Sequence, residues 1–179
     1  LDPYQTALTF DVPWTGSDAT SGLQQVELFV DAGSGWVSAG VTTDVASPVP
    51  FSYTAPGEGT YAFATVATDL AGLVEDLPGS PDVTTTVDTT GPAGDFTING
   101  DAASTGTPDV TLDVMVTGAE FLRFTNVANQ WDSPESAWQP HAASVAWVLS
   151  AGDGLKTVYG EFRDAAGNVL DREDVITLD

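Results

Sequence analysis

The chain has no cysteine among its 179 residues, so neither a disulfide framework nor a thiolate metal site is open to it. Each folded part must be held by packing alone. Basic residues are nearly as scarce. Arg123, Lys156, Arg163 and Arg172 stand against 26 Asp and Glu, for a formal net charge of −22. Such a surface repels the phosphate backbone of nucleic acids and anionic lipid head groups, which argues against either partner. It suits divalent cations, basic proteins, or plain solubility and adaptation to salt. Histidine occurs once, as His141 in Gln139-Pro140-His141-Ala142-Ala143, and no motif sets a nucleophile beside it, so Ser–His–Asp chemistry lacks its base. No Walker loop, zinc ligand set or EF-hand loop is present. Carboxylate pairs are too numerous for any one of them to single out a catalytic acid and base. No apolar run approaches the ~20 residues needed to span a bilayer. The first residues lack the basic-then-apolar pattern of a signal peptide. The expectation is a mature extracellular region, or a piece of one, with no membrane insertion and no enzymatic activity. There is no Asn-x-Ser/Thr sequon.

What is present points to strands. Hydrophobic residues make up 42%, enough for a buried core, and 18 Gly and 11 Pro supply turns between recurring Thr and Val. Leu8, Phe10 and Val12 alternate with polar residues, as do Val110, Leu112, Val114 and Val116. This period of two marks half-buried strands, and no stretch carries a convincing helical period.

The chain repeats itself. Gly59-Thr60-Tyr61-Ala62-Phe63 through Asp69-Leu70-Ala71-Gly72 aligns without a gap on Gly154-Leu155-Lys156-Thr157-Val158 through Asp164-Ala165-Ala166-Gly167, at an offset of 95 residues. The same offset pairs Trp36 with Trp131 and Val26–Phe29 with Phe121–Phe124. Farther upstream, Thr9-Phe10-Asp11-Val12 matches Thr111-Leu112-Asp113-Val114, with seven extra residues in the first copy around Ser17–Gly22. Each copy of ~90 residues reads as a Greek-key sandwich of short strands. In copy one, strands are predicted at 7–14, 23–31, 36–43, 49–55, 60–68 and 82–88. Copy two is predicted to have them at 94–100, 109–117, 120–127, near 136–139, and at 144–150, 155–163 and 172–178. Which face of 155–163 is buried stays open. Copy one lacks a counterpart to 94–100. A strand from residues outside the sequence, or one donated by another chain, would fill that place. The domains fall at 1–88 and 94–179, with a linker at 89–93.

Trp14-Thr15-Gly16-Ser17-Asp18-Ala19-Thr20-Ser21-Gly22 in copy one and Arg163-Asp164-Ala165-Ala166-Gly167-Asn168 in copy two resemble motifs of bacterial immunoglobulin-like repeat domains from large secreted and cell-surface proteins. Val87-Asp88-Thr89-Thr90-Gly91-Pro92 and Ile176-Thr177-Leu178-Asp179 are similar to the strand end and linker of such repeats. The resemblance implies an all-β chain of two tandem immunoglobulin-like Greek-key sandwiches, the first without its strand A. It also implies a stalk, spacer, adhesin segment or enzyme accessory outside the cell. Copy one departs from the pattern, with Leu73 where Asn168 stands.

Three expectations about sites follow. The Asp of Asp-x-Ala-Gly-Asn ends a strand and accepts backbone N–H bonds in an Asx turn. Calcium, if bound, takes Glu58, Asp88, Glu120 and Asp164, and Asp18 and Asp69 occupy the far end of the first domain. Trp14 and Trp138, near loops, are the candidates for stacking on a glycan. The leading function is a non-catalytic spacer whose partners are neighbouring immunoglobulin-like domains of the same chain. The other is a module that binds a glycan or protein receptor.

Overall fold

The computed structural model describes residues 1–46 and 49–179. The chain separates into two compact units, Leu1–Thr89 and Thr90–Asp179, and each is a β-sandwich. Unit 1 contains β1 (Tyr4–Gln5), β2 (Thr9–Val12), β3 (Leu23–Asp31), β4 (Val37–Thr42), β5 (Phe51–Thr54), β6 (Gly59–Asp69) and β7 (Val83–Val87). Among the described residues its sheets are β1-β7-β6-β3-β4 and the pair β2-β5. Unit 2 contains β8 (Phe96–Ile98), β9 (Ser104–Thr105), β10 (Asp109–Val114), β11 (Phe121–Thr125), β12 (Gln139–Pro140), β13 (Ser144–Val148), β14 (Gly154–Arg163) and β15 (Val169–Leu178). Its sheets are β12-β11-β14-β15-β9 and β13-β10-β8. The region expected to hold a strand near 136–139 is a short 3-10 turn, Pro134–Ser136, capped by Ser133 and followed by β12.

The alternating sequence pattern becomes the core. In unit 1, Phe10, Val12, Leu28, Tyr61, Phe63 and Val87 bury between the sheets. Tyr53 stands edge-on to Phe10, Tyr61 and Phe63, with ring centroids 5.1 to 5.8 Å apart. In unit 2, Phe96, Ile98, Leu112, Leu122, Phe124 and Phe162 are fully enclosed. Val158, Gly160 and Phe162 are the buried face of β14, which settles the face left open by sequence.

The two units share one connectivity. In both, a two-residue strand lies parallel to the last strand, β1 to β7 and β9 to β15, and neither is among the strands predicted from sequence. Two differences stand out. First, β8 pairs with β10 in unit 2, and β2 has no such neighbour among the described residues. Second, the 95-residue offset fails in β3. Leu28 faces Thr65 and Val26 faces Ala67, whereas Phe124 faces Gly160 and Leu122 faces Phe162. With Gly59 and Gly154 in register opposite Val87 and Leu178, Leu28 corresponds to Phe124 and Val26 to Leu122. A slip of one residue would turn a strand's side chains to the opposite face. The irregularity between Leu23 and Gln25 marks the ladder in this strand.

Candidate functional site

In unit 2, the outward side chains of β11 and β14 form a ladder of arginine and aromatic groups. Phe121 pairs across with Arg163, and Arg123 with Glu161. Period two puts all four on one face. Arg123 forms an ion pair with Glu161, and its Nε donates at 2.7 Å. Its guanidinium lies 4.4 Å from the Trp131 ring centre and 4.5 Å from that of Trp138. Arg163 sits 4.4 Å from Trp138 and 5.3 Å from Phe121. Two of the four basic residues thus spend their charge on aromatic faces and one carboxylate, an arrangement that favours the planar guanidinium over an ammonium. Trp138, half-buried, carries a guanidinium from each of two strands. Trp14 is buried, its Nε1 donating to the carbonyl of Val49 at 3.0 Å, with its ring tilted against Phe51.

The ladder has a sequence signal that single-residue inspection passes over. Phe121-x-Arg123 and Glu161-x-Arg163 alternate in step on strands predicted to neighbour each other. Trp131 and Trp138 lie in the connection that follows β11.

The aspartates that end β6 and β14 build the same turn. Asp69 N–H donates to Leu73 O and Asp164 N–H to Asn168 O. Asp164 Oδ1 accepts from the backbone N–H groups of Gly167 (2.7 Å) and Asn168 (2.8 Å), and Oδ2 from the Asn168 side-chain amide (2.9 Å). Asp69 Oδ1 accepts from Leu73 N–H at 2.8 Å. Leu73 keeps the backbone bonds of Asn168 and loses its amide, and Gly72 N–H donates to Asp69 O at 3.1 Å where Gly167 N–H meets the Asp164 side chain. The Ser21 hydroxyl lies 2.6 Å from Asp69 Oδ2 and 3.1 Å from Asp18 Oδ2. Asp18 Oδ1 also accepts from Thr20 N–H and Ser21 N–H. The backbone bond from Ser21, then that from Thr20, lowers the Asp18 pKa below the ordinary aspartate range. The Ser21 hydroxyl, then Leu73 N–H, does the same for Asp69.

The remaining residues singled out by sequence are placed as follows. Glu58 is exposed and accepts from the Thr89 backbone N–H (2.9 Å) and hydroxyl (2.7 Å). Asp88 donates its backbone N–H to Gln5 O. Glu120 is exposed, and its backbone bonds to Arg163 and His141. His141 Nε2 lies 3.1 Å from the Val116 carbonyl. Among the described residues, neither unit gathers three His, Asp or Glu side chains into a metal-holding group. No helix among them is long and apolar enough to cross a membrane.

Unit 1 also carries a cleft of about 620 Å³ beside the open edge of β2. Val12, Leu28, Phe63 and Val83 form its apolar floor, with Glu75 and Asp82 among its polar lining.

No protein-family model matches the chain, and no curated protein matches it in sequence. Solved structures do. The chain is similar to the fibronectin(III)-like modules of CbhA from Clostridium thermocellum, with 14% identity and a TM-score of 0.59 over 98% of this chain and 87% of that one. At that identity the likeness establishes the fold. A tetra-tandem repeat in the extending region of a large adhesion protein matches with 19% identity and a TM-score of 0.32, covering 96% of this chain and 50% of that one. SGBP-B of the mixed-linkage glucan utilization locus of Bacteroides ovatus, solved with a mixed-linkage heptasaccharide, matches with 15% identity and a TM-score of 0.25. Here the shares are 88% of this chain and 38% of that one.

Proposed function

We propose that the chain is a pair of load-bearing spacer modules in an extracellular surface or adhesin-like protein, with no catalytic step of its own. The observation that supports this reading is the parallel ladder that ties an early strand of each unit to its last strand. In unit 1, β1 runs parallel to β7, tied by Thr86 N–H to Pro3 O (2.9 Å) and Asp88 N–H to Gln5 O (3.0 Å). In unit 2, β9 runs parallel to β15, tied by Thr177 N–H to Ala103 O (3.2 Å) and Asp179 N–H to Thr105 O (3.0 Å). Parallel pairing puts the start of the early strand and the end of the last strand at opposite ends of the ladder, and in unit 2 the pull reaches β9 through β8. Tension along the chain then loads these bonds in shear, all together rather than one by one. The acidic surface keeps such modules soluble and apart.

The test is mechanical. Thr105→Pro shortens the parallel ladder of unit 2 on an edge strand, where proline is tolerated. Stretched singly by its ends, the variant should show a lower unfolding force for one of its two events, with the other unchanged. Equal forces in variant and parent would remove the support that the terminal ladders give.

A further inference from the structure

We propose that a pocket in unit 2, between the β11–β12 connection and Trp147 of β13, is a binding site for a neutral sugar, a pyranose with equatorial hydroxyls. The pocket has a volume of about 320 Å³, at the small end of the range for ligand sites, about 300–1,000 Å³.

The two units differ where this pocket lies. In unit 1, residues 32–36 join β3 to β4 in a tight turn, with Asp31 Oδ1 accepting from Gly33 N–H (2.7 Å) and Gly35 N–H (2.9 Å). In unit 2, residues 126–138 make the same connection, from β11 to β12. A connection of that length in a compact domain usually carries function. The facing strand changes with it. Leu8 corresponds to Val110. Leu8 O accepts from Ala55 N–H, and Val110 faces Trp147, so the buried Ala55 is the counterpart of Trp147. Where unit 1 has a core alanine, unit 2 has an indole, and the indole lines the space beside the longer connection.

The walls are fixed before any ligand arrives, which lowers the cost of binding. Arg123 holds two residues of the connection, Trp131 and Trp138, with ring centres 4.4 and 4.5 Å from its guanidinium. Between them Ser133 caps the turn Pro134–Ser136, and the buried Ser136 donates its hydroxyl to Ser133 O at 3.0 Å. Trp147 packs against Phe124, with centroids 6.0 Å apart. Its Nε1–H donates to Asn126 Oδ1 at 2.9 Å, and the Asn126 amide donates to Val148 O at 2.9 Å. The one polar atom of the indole is thus taken, and what Trp147 offers the pocket is carbon. Gln130, Asp132 and Glu135 also line the pocket. All three are exposed, and their side chains make no hydrogen bond or ion pair among the described residues. An apolar wall beside free acceptors and an amide complements a pyranose, which carries C–H groups on its faces and hydroxyls around its edge. Each hydroxyl both donates and accepts, as the Gln130 amide does, and a carboxylate is a strong acceptor for it. No basic residue lines the pocket, so a uronate or sulfated sugar would meet two carboxylates unopposed. A lysine head group suits the two acids, but it has donors only and leaves the Gln130 N–H groups unmatched.

The test titrates the full chain with methyl β-D-glucopyranoside, with its uronate, methyl β-D-glucuronide, and with Nα-acetyl-lysine amide, each followed by NMR. The glucoside should shift the side-chain amide of Gln130 and the indole N–H of Trp147, and leave the indoles of Trp14 and Trp36 in place. The glucuronide should bind at least fivefold more weakly. Glu135→Gln keeps the shape of the pocket and should weaken glucoside binding roughly fivefold, the loss of one charged hydrogen bond, while narrowing the gap between the two sugars. Its melting temperature should match that of the parent, because Glu135 is exposed and makes no bond to lose. Trp147→Phe keeps a ring against Phe124 and should also weaken binding. Should that variant disturb unit 2, Glu135→Gln and the titrations of the parent still decide. Absence of both shifts at about 100 mM glucoside, a hundredfold above a Kd of about 1 mM, would overturn the proposal, as would equal binding of the glucuronide. Tighter binding of the lysine amide than of the glucoside would overturn it too, and would assign the pocket to a basic side chain of a protein partner. None of these outcomes bears on the spacer reading, which rests on β1, β7, β9 and β15.

Discussion

Gly160 shows how far single residues tune the two sandwiches apart. A Cβ there would lie 2.8 Å from Phe124 Cε1 and 3.1 Å from Phe96 Cε1, both on rings enclosed in the core of unit 2. Neither ring has room to retreat. Gly160→Ala should cost about 1–3 kcal/mol, the usual range for overpacking, and lower the melting temperature of unit 2 by several degrees. An unchanged melting curve would contradict the packing described. Unit 1 carries β-branched Thr65 at the matching place, which it tolerates because Leu28 replaces the aromatic ring opposite it. On the outer face of the same sheet, Trp138→Ala removes the ring that Arg123 and Arg163 share. The expected loss is about 1 kcal/mol, summed over two partly exposed cation–π contacts, and denaturant titration reads it directly. A gain in stability would show the ladder to be ornamental.

Among the elements, the turn after β6 has a pH dependence of definite sign. Asp18 and Asp69 have folded pKa values below the ordinary aspartate value, because they accept bonds from Ser21, Thr20 and Leu73. A lowered folded pKa means that the carboxylates' contribution is complete above the unfolded value of about 3.9 and is lost as pH falls through the lower folded values. The amide signals of Ser21 and Leu73 should therefore hold steady down to about pH 4 and shift only below it. Midpoints above the ordinary value would contradict the bonding. The matching turn after β14 was legible in sequence because Asp164-Ala165-Ala166-Gly167-Asn168 states its own chemistry within five residues, whereas Leu73 in place of Asn hid its counterpart after β6. The strands of period two were legible for the same reason, and β3 lies at the predicted 23–31. Other features were hidden by their scale. β1 and β9 are two residues long and carry no period. The one-residue shift of β3 against β11 cannot be seen in an ungapped repeat, because both strands hold apolar residues on neighbouring positions. The arginine–aromatic ladder joins residues up to 42 positions apart, from Phe121 to Arg163. Trp14 lies beside a loop in sequence, yet its indole is drawn into the core by the Val49 carbonyl and Phe51.

At the scale of the whole molecule, the chain is two sandwiches of one connectivity, each with a parallel ladder between a two-residue early strand and its last strand. Each has its own core and should therefore unfold as its own event. Stretching single molecules by their ends tests this directly. The predicted record has two resolved force peaks. Each releases roughly 25–30 nm of chain, since about 90 residues extend by at most ~3.3–3.6 Å each. A single step of roughly twice that length, or smooth extension with no resolved peak, would contradict the account.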